Sequence, residues 1–278
     1  AMEAQADIGA CQPKIRSKDN PSVFDYAGAA GGMLDIFGYP FARGRVFWTV
    51  EEDRGQYDDS RDIFWASGTA MVVRLSAWKE VGGFDPIFFL YAEEVDFCWQ
   101  LHRLGYRIVY VPHSVIYHWG SVSTKSFKIR RTFLISRNHL ILVLKNYSLL
   151  QLCLLLPTRI ALELINVIYA LFKRQPSWAG AILKGLLSAS TSLLSVWHSR
   201  RNVPTQAENG SNPPFYWGSI AFDYFIRRRL VYSELNNTRV PERAAYGSSS
   251  CSRQLTRPFD GDYRLTSEVT MGEKSEEQ

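Results

Sequence analysis

Cysteine is scarce in this chain, with four residues among 278, at positions 11, 98, 153 and 251. No two of them stand at CxxC spacing. That argues against a disulfide framework and a cysteine-based zinc site, and makes a reducing compartment the simpler expectation. Cys98 and Cys153 have apolar neighbours and read as small core residues. The first residues, Ala1-Met2-Glu3-Ala4-Gln5, carry neither a basic stretch nor an apolar run. They are not a signal peptide and read as the middle of a helix. No internal repeat is visible, and no excess of one charge sign runs through the whole chain.

What is present is a globular composition, 46% apolar, 14% aromatic and 21% charged, enough to build a core in one large domain or two small ones. The net charge of +5 is modest, and its placement says more. From Ser121 to Asn146 the chain holds Lys125, Lys128, Arg130, Arg131, Arg137 and Lys145 without an acid. Such a block suits phosphates, nucleic acid or an anionic membrane, and equally a solvated face. The C-terminal end is acidic, with Glu273, Glu276 and Glu277.

Local patterns set expectations along the chain. Ile8–Ile15 reads as a strand, and the glycine-rich, aromatic stretch Tyr26–Gly44 as a long loop. Ile63–Arg74 reads as strand, glycine break, strand. Ser76–Val81 reads as a short helix with a serine cap, ended by Gly82-Gly83. Helical spacing runs to Leu104 with Gly105 as a stop. Arg107–Pro112 and Val115–Tyr117 read as two strands, and Phe133–Leu144 as a helix. Tyr147–Phe172 and Ala179–Trp197 approach membrane-spanning length. Pro157, Arg159, Glu163 and Asn166 interrupt the first and Lys184 the second, which favours helices lying on a bilayer or on the domain. Arg201–Pro214 is a polar linker. Phe215–Tyr232 is aromatic and basic, and residues from Ser233 read as a disordered tail.

The densest chemistry is Tyr91-Ala92-Glu93-Glu94-Val95-Asp96. Three carboxylates in four positions raise one another's pKa, and flanking aromatics would desolvate them, which is how a general base near neutral pH is made. Acids at a helix start are also common without any catalytic meaning. His118 is a candidate ligand for a divalent cation, or an ordinary satisfied histidine. Gly68 would let a ligand approach backbone and Trp65 would stack on a sugar, or the two are a bulge and a core tryptophan. Arg43 and Arg45 flank Gly44, as a phosphate clamp or as partners for Glu51, Glu52 and Asp53. Adjacent Glu93 and Glu94 do not provide the separated carboxylates of glycoside hydrolysis.

The order of the pieces narrows these alternatives. Phe64-Trp65-Ala66-Ser67-Gly68-Thr69-Ala70, then Gly82-Gly83-Phe84-Asp85, Phe88-Phe89, Glu93-Glu94-Val95-Asp96, Gly105-Tyr106, Pro112 and Tyr117-His118 resemble the second half of family-two glycosyltransferases with the GT-A fold. Rhamnosyltransferase-like members of cell-surface polysaccharide assembly are the closer likeness, shared by Asp25–Arg45, and the match runs from Ile8 to Asn146.

The resemblance implies an α/β fold: a partial GT-A mixed sheet in residues 1–146, amphipathic or membrane-associated helices in 147–232, and a loose tail in 233–278. It makes Glu94 the base, where relatives often carry Asp, with Glu93 and Asp96 orienting base or acceptor. His118 becomes a ligand for Mg²⁺ or Mn²⁺. Trp65 and Gly68 line the pocket, and Asp85, Arg43, Arg45 and Trp119 join the substrate contacts. The implied reaction is inverting transfer from a nucleotide-diphospho-sugar, rhamnose being the best candidate, to a saccharide or polyprenyl-linked saccharide. The implied place is the cytoplasmic face of the plasma membrane, with no nucleic acid involved. The family's front half, with its Asp-x-Asp metal motif, has no counterpart, since Asp260-Gly261-Asp262 lies in the tail. The expectation is therefore little activity from this chain alone; the alternative is a non-catalytic membrane-surface fragment.

Overall fold

The strand Ile8–Ser17 (β1) is buried along its first eight residues, the pattern of a strand covered on both faces. In the computed structural model, which describes residues 2–119, 128–201 and 213–235, it is a central strand of a four-stranded sheet. Arg107–His118 (β8) runs parallel to it, and the short strands Arg61–Asp62 (β6) and Val72–Val73 (β7) close the two edges antiparallel.

The two strands expected at 107–112 and 115–117 are one strand with a bulge. Pro13 opposes Val111 but Lys14 opposes Val115, so Pro112, His113 and Ser114 bow out of the ladder. Neither Pro13 nor Pro112 has an N–H to give, and the register slips where both fall.

A second sheet corrects the expected loop at Tyr26–Gly44. Gly32–Asp35 (β2), Pro40–Ala42 (β3), Arg45–Val46 (β4) and Thr49–Val50 (β5) form an antiparallel meander, and Phe215–Tyr216 (β9) joins β2 in parallel. The expected pair of strands in Ile63–Arg74 reduces to β7. Phe64–Trp65 instead crosses Gly32, with Phe64 N–H on the Gly32 carbonyl at 2.8 Å. Gly32 is required there, because a Cβ would sit 2.2 Å from the Trp65 ring.

Leu75–Val81 (α1) starts without a side-chain cap, so Ser76 does not act as one. The guanidinium of Arg74, the residue before it, instead donates to the carbonyls of Ile8, Met2 and Gln5. Glu93–Arg103 (α2) ends as expected at Gly105, whose φ of 87° suits only glycine without strain. The Gly105 and Tyr106 N–H groups there close onto the His102 and Leu101 carbonyls, a Schellman arrangement.

Lys128–Asn146 (α3) packs along Pro176–Thr191 (α5). Between them comes Leu149–Phe172 (α4), opened by a Ser148/Gln151 capping box, and Leu193–Arg201 (α6) and Ile220–Phe225 (α7) follow. α4 runs through Pro157 and turns Arg159 and Glu163 inward as an ion pair at 2.8 Å. Cys153 is exposed, not a core residue, because it lies on the outer side of this helix. The described residues belong to one compact unit, so α4 to α7 share a unit with the sheets. Residues 202–212 of the expected linker, Lys125, and the tail beyond Leu235 lie outside the described residues.

Candidate active site

The acid motif sits on an unusual piece of backbone. Phe89, Tyr91 and Ala92 all have positive φ, at 61°, 69° and 72°. Left-handed non-glycine residues each cost on the order of 1–3 kcal/mol and persist only where surroundings enforce them. Here the enforcing group is Asn138, fully buried on α3. Its amide nitrogen donates to the carbonyls of Phe88, Leu90 and Tyr91 at 2.7, 2.8 and 2.8 Å. Arg137 adds bonds to the Ile87 carbonyl at 2.8 Å and to Asn138 Oδ1 at 2.7 Å. α2 then begins at Glu93 with Ala92 in the cap position and no side-chain cap.

Glu94 is pushed up to about 7, first by burial and then by the charge of Glu93; burial also raises Glu93. Each holds one buried oxygen, Oε2, without a hydrogen-bond partner among the described residues. A carboxylate left unsatisfied at the start of a helix has capacity to accept a proton.

Asp96 faces the other way. Its Oδ2 meets Lys145 Nζ at 2.7 Å, and its Oδ1 accepts from Asn146 at 2.7 Å and Gln100 at 3.2 Å. Lys145 also reaches Asp85 Oδ2 at 2.7 Å, which accepts from Ser199 as well. Burial alone would raise Asp85, but Lys145 and Ser199 outweigh it and hold this carboxyl below its ordinary value. Lys145 thus clips α2, the turn after α1 and α3 together, which turns Asp85 and Asp96 inward. It and Arg137 leave the basic face that the sequence suggested.

Trp65 also turns inward. It is buried, and its indole N–H donates to the Met33 carbonyl at 2.9 Å, so it presents no face to a sugar. The Phe64 carbonyl meets His102 Nε2 at 2.9 Å, and the Ala66 N–H meets Cys98 Sγ at 3.4 Å; the chain then turns at Ser67–Ala70 and brings Met71 Sδ to 4.0 Å from the same Sγ. A Cβ on Gly68 would meet nothing within 4 Å.

On the far side of β1, His118 Nδ1 lies 3.0 Å from Asp25 Oδ1. With that nitrogen donating, Nε2 keeps a lone pair, the arrangement of a metal-binding histidine steadied by a carboxylate. Among the described residues, however, no group of three His, Cys, Asp or Glu side chains could hold a metal ion. One histidine and its supporting acid do not make a complete Mg²⁺ or Mn²⁺ site, since these cations require several oxygen donors. Trp119, beside His118, is exposed.

The Ala42–Arg45 turn separates the two arginines. Arg43 is buried against Tyr57, Tyr110 and Tyr232 and pairs with Asp59 at 2.5 Å. Of the two readings, phosphate clamp or acid partner, Arg43 takes the second, with Asp59 in place of Glu51, Glu52 or Asp53. Arg45 packs over the Tyr26 ring at 4.6 Å, where Arg131 also stacks at 5.7 Å.

Three residues of this site were not anticipated in it: Asn138, Asp25 and Tyr26. Asn138 carried one signal, a polar residue amid the apolar positions of α3.

The model of the family described as glycosyl transferase family group 2 matches residues 45–233, and the chain belongs to that family. It is 36% identical over 121 residues, 42% of this chain, to the N-acetylglucosaminyl-diphospho-decaprenol L-rhamnosyltransferase of Mycobacterium tuberculosis strain H37Rv, covering 39% of that protein. It is 38% identical over 106 residues to the rhamnosyltransferase WbbL of Escherichia coli K12, covering 38% of this chain and 39% of that one. A pre-mycofactocin glycosyltransferase of Mycobacterium tuberculosis is 32% identical over 71 residues, 26% of this chain and 15% of the relative. The matched part of the chain thus spans about two-fifths of the length of the first two relatives.

Proposed function

We propose that this chain forms the acceptor side of an inverting glycosyltransferase, moving a sugar from a nucleotide-diphospho-sugar to a hydroxyl of a lipid-linked saccharide. The observation that carries this reading is Glu94, a carboxyl near 7 whose Oε2 has no hydrogen-bond partner among the described residues. As carboxylate, Glu94 takes the proton of the acceptor hydroxyl. The hydroxyl oxygen forms its bond to the anomeric carbon from one face while the bond to the nucleotide diphosphate breaks on the other. Glu93, one residue away, keeps Glu94 basic. Asp96 acts at a distance, through Lys145, by fixing where α2 begins. Rhamnose as the sugar is supported by the names of the two longer-matched relatives, and a polyprenyl diphosphate carrying the acceptor by the name of the Mycobacterium tuberculosis one.

Metal dependence is not built into this scheme, because His118 and Asp25 alone do not fit a complete site. On the same reasoning, the chain by itself binds sugar nucleotides poorly. Isothermal titration with Mn²⁺ and several sugar nucleotides checks this, and micromolar binding would overturn it.

The helices suit the cytoplasmic face of a membrane. α4 is long and apolar enough to cross one by length and composition, but its Arg159–Glu163 face is docked on Tyr39. Its outer face exposes Leu150, Leu154, Ile165, Ile168 and Phe172. A helix with one docked and one apolar face fits attachment to a surface rather than crossing. That exposed face also favours a second reading, a membrane-surface module without catalysis.

Co-expression with a separately supplied nucleotide-binding half separates the two. Restored sugar transfer that falls about 10²- to 10⁴-fold in Glu94→Gln supports the transferase. Transfer unaffected by the change removes Glu94 as base.

A further inference from the structure

Among the described residues, buried lysines and arginines have acid partners, with one exception. Lys14 meets Asp53, Arg43 meets Asp59, Lys145 meets Asp85 and Asp96, and Arg159 meets Glu163, all within 2.9 Å. Arg45 is equally buried, at 8% exposure, and pairs with no carboxylate among the described residues. Its Nε has no hydrogen-bond partner there. The groups acting on its charge are burial first, then Tyr26, then a second cation, Arg131. A buried charge without a counter-charge is costly, and drawing a like charge toward it adds to that cost. Such an arrangement is understandable where an anion is to be bound.

We propose that Arg45 and Arg131, stacked on Tyr26, bind the diphosphate of an extended diphosphate ester beside the acid motif. Tyr26 is shared by both guanidinium groups, at 4.6 and 5.7 Å from its ring centre, and Arg131 also stacks on Tyr91 at 5.8 Å. Ring stacking fixes the planes of the two forks, the condition for bidentate contacts to phosphate oxygens. Two forks suit two phosphoryl groups better than one carboxylate. His139, close enough for Arg45 to depress it, is pushed down to about 4 by burial and that charge, so it is neutral at pH 7 and adds no repulsion.

The position suits the ligand. Tyr91 lies two residues before Glu93, and Tyr26 follows the Asp25 that holds His118. A diphosphate on the arginines would leave its attached sugar facing the acids. This inference rests on the transferase reading only for which sugar hydroxyl is presented. The same chemistry belongs to a nucleotide diphosphate and to a polyprenyl diphosphate.

The test is calorimetric titration of the full chain with inorganic pyrophosphate, inorganic phosphate, dTDP and geranyl diphosphate, against Arg45→Gln, Arg131→Gln and the remote exposed variant Lys173→Gln. The proposal expects pyrophosphate to bind more tightly than phosphate. It expects each arginine variant to lose at least about tenfold in affinity, the loss of one charge-assisted contact, and Lys173→Gln to lose nothing. Geranyl diphosphate binding better than dTDP assigns the site to the acceptor, and the reverse to the donor; either outcome supports it. Absence of pyrophosphate binding, or equal affinity in Arg131→Gln, overturns it. Circular dichroism reports whether Arg45→Gln folds. If it does not, Arg131→Gln, at a partly exposed position, decides alone. Binding needs no turnover, so failure here is separable from failure of Glu94 as base.

Discussion

Asn138 on α3 donates to the carbonyl of Tyr91, two residues before the first acid of α2, at 2.8 Å. The same amide holds the Phe88 and Leu90 carbonyls, so one side chain enforces three left-handed residues. Asn138→Ala takes this donor from all three carbonyls, of which Phe88 keeps the Leu90 N–H at 2.7 Å, and the expected loss is about 1–3 kcal/mol. Urea unfolding measures it. Hydrogen exchange at residues 88–92 should rise more than elsewhere in the chain. Uniform exchange across the sheets would mean that Asn138 supports the whole fold, not this loop.

Glu94 should titrate near neutral pH. Its folded value of about 7 lies above the ordinary 4.5. The folded state therefore keeps a proton that the unfolded chain has released, and stability falls as pH rises from about 4.5 to 7, then levels. Glu94→Gln removes that component. The variant should gain stability relative to the wild type as pH is raised from 5 to 8, by thermal unfolding at each pH. A carboxyl ¹³C titration of Glu94 with its midpoint near 4.5 would remove the premise.

The legible parts of this molecule are those whose information is local. The acid motif, the stop at Gly105 and the core of α3 follow from spacing and from glycine's freedom at positive φ. The meander β2 to β5 was not legible, because strands of two to four residues between glycines carry too little alternation to show. Trp65 was ambiguous for a different reason: whether it stacks on a ligand or in the core depends on Gly32, 33 positions earlier and without a side chain to mark it. Likewise Arg43 and Arg45 read alike, and only Asp59 on one side and Tyr26 on the other distinguish a cation with a counter-charge from one without.

Lys145 offers a sharper test of the scaffold behind the acids. It is buried between Asp85 and Asp96 at 2.7 Å from each. Lys145→Met leaves two carboxylates facing each other without a cation, and a loss of about 3–5 kcal/mol is expected. Adding Asp96→Asn to that variant should recover part of it, since one buried charge is then gone. Chemical denaturation of the four proteins in the cycle measures the coupling. Additive losses would show that the clip between α2 and α3 is not a unit.

Arg159 lies 3.5 Å above the Tyr39 ring and 2.8 Å from Glu163, whose carboxylate also accepts from the Tyr39 hydroxyl at 3.3 Å. Ring face and charge pairing therefore fix this side of α4 to the second sheet. Glu163→Leu strands the guanidinium, and Arg159→Met strands the carboxylate. Each should cost about 3–5 kcal/mol, and the double change to Met and Leu should cost far less, because no unpaired charge remains. A helix standing away from the sheet in lipid would give the opposite order. Removing either charge would then ease its burial, and neither single variant would lower the unfolding free energy of the sheets. Urea titrations of the three variants in mild detergent discriminate the two. A docked helix also predicts that a protease site placed in the loop after Phe172 opens sooner in the single variants than in the double.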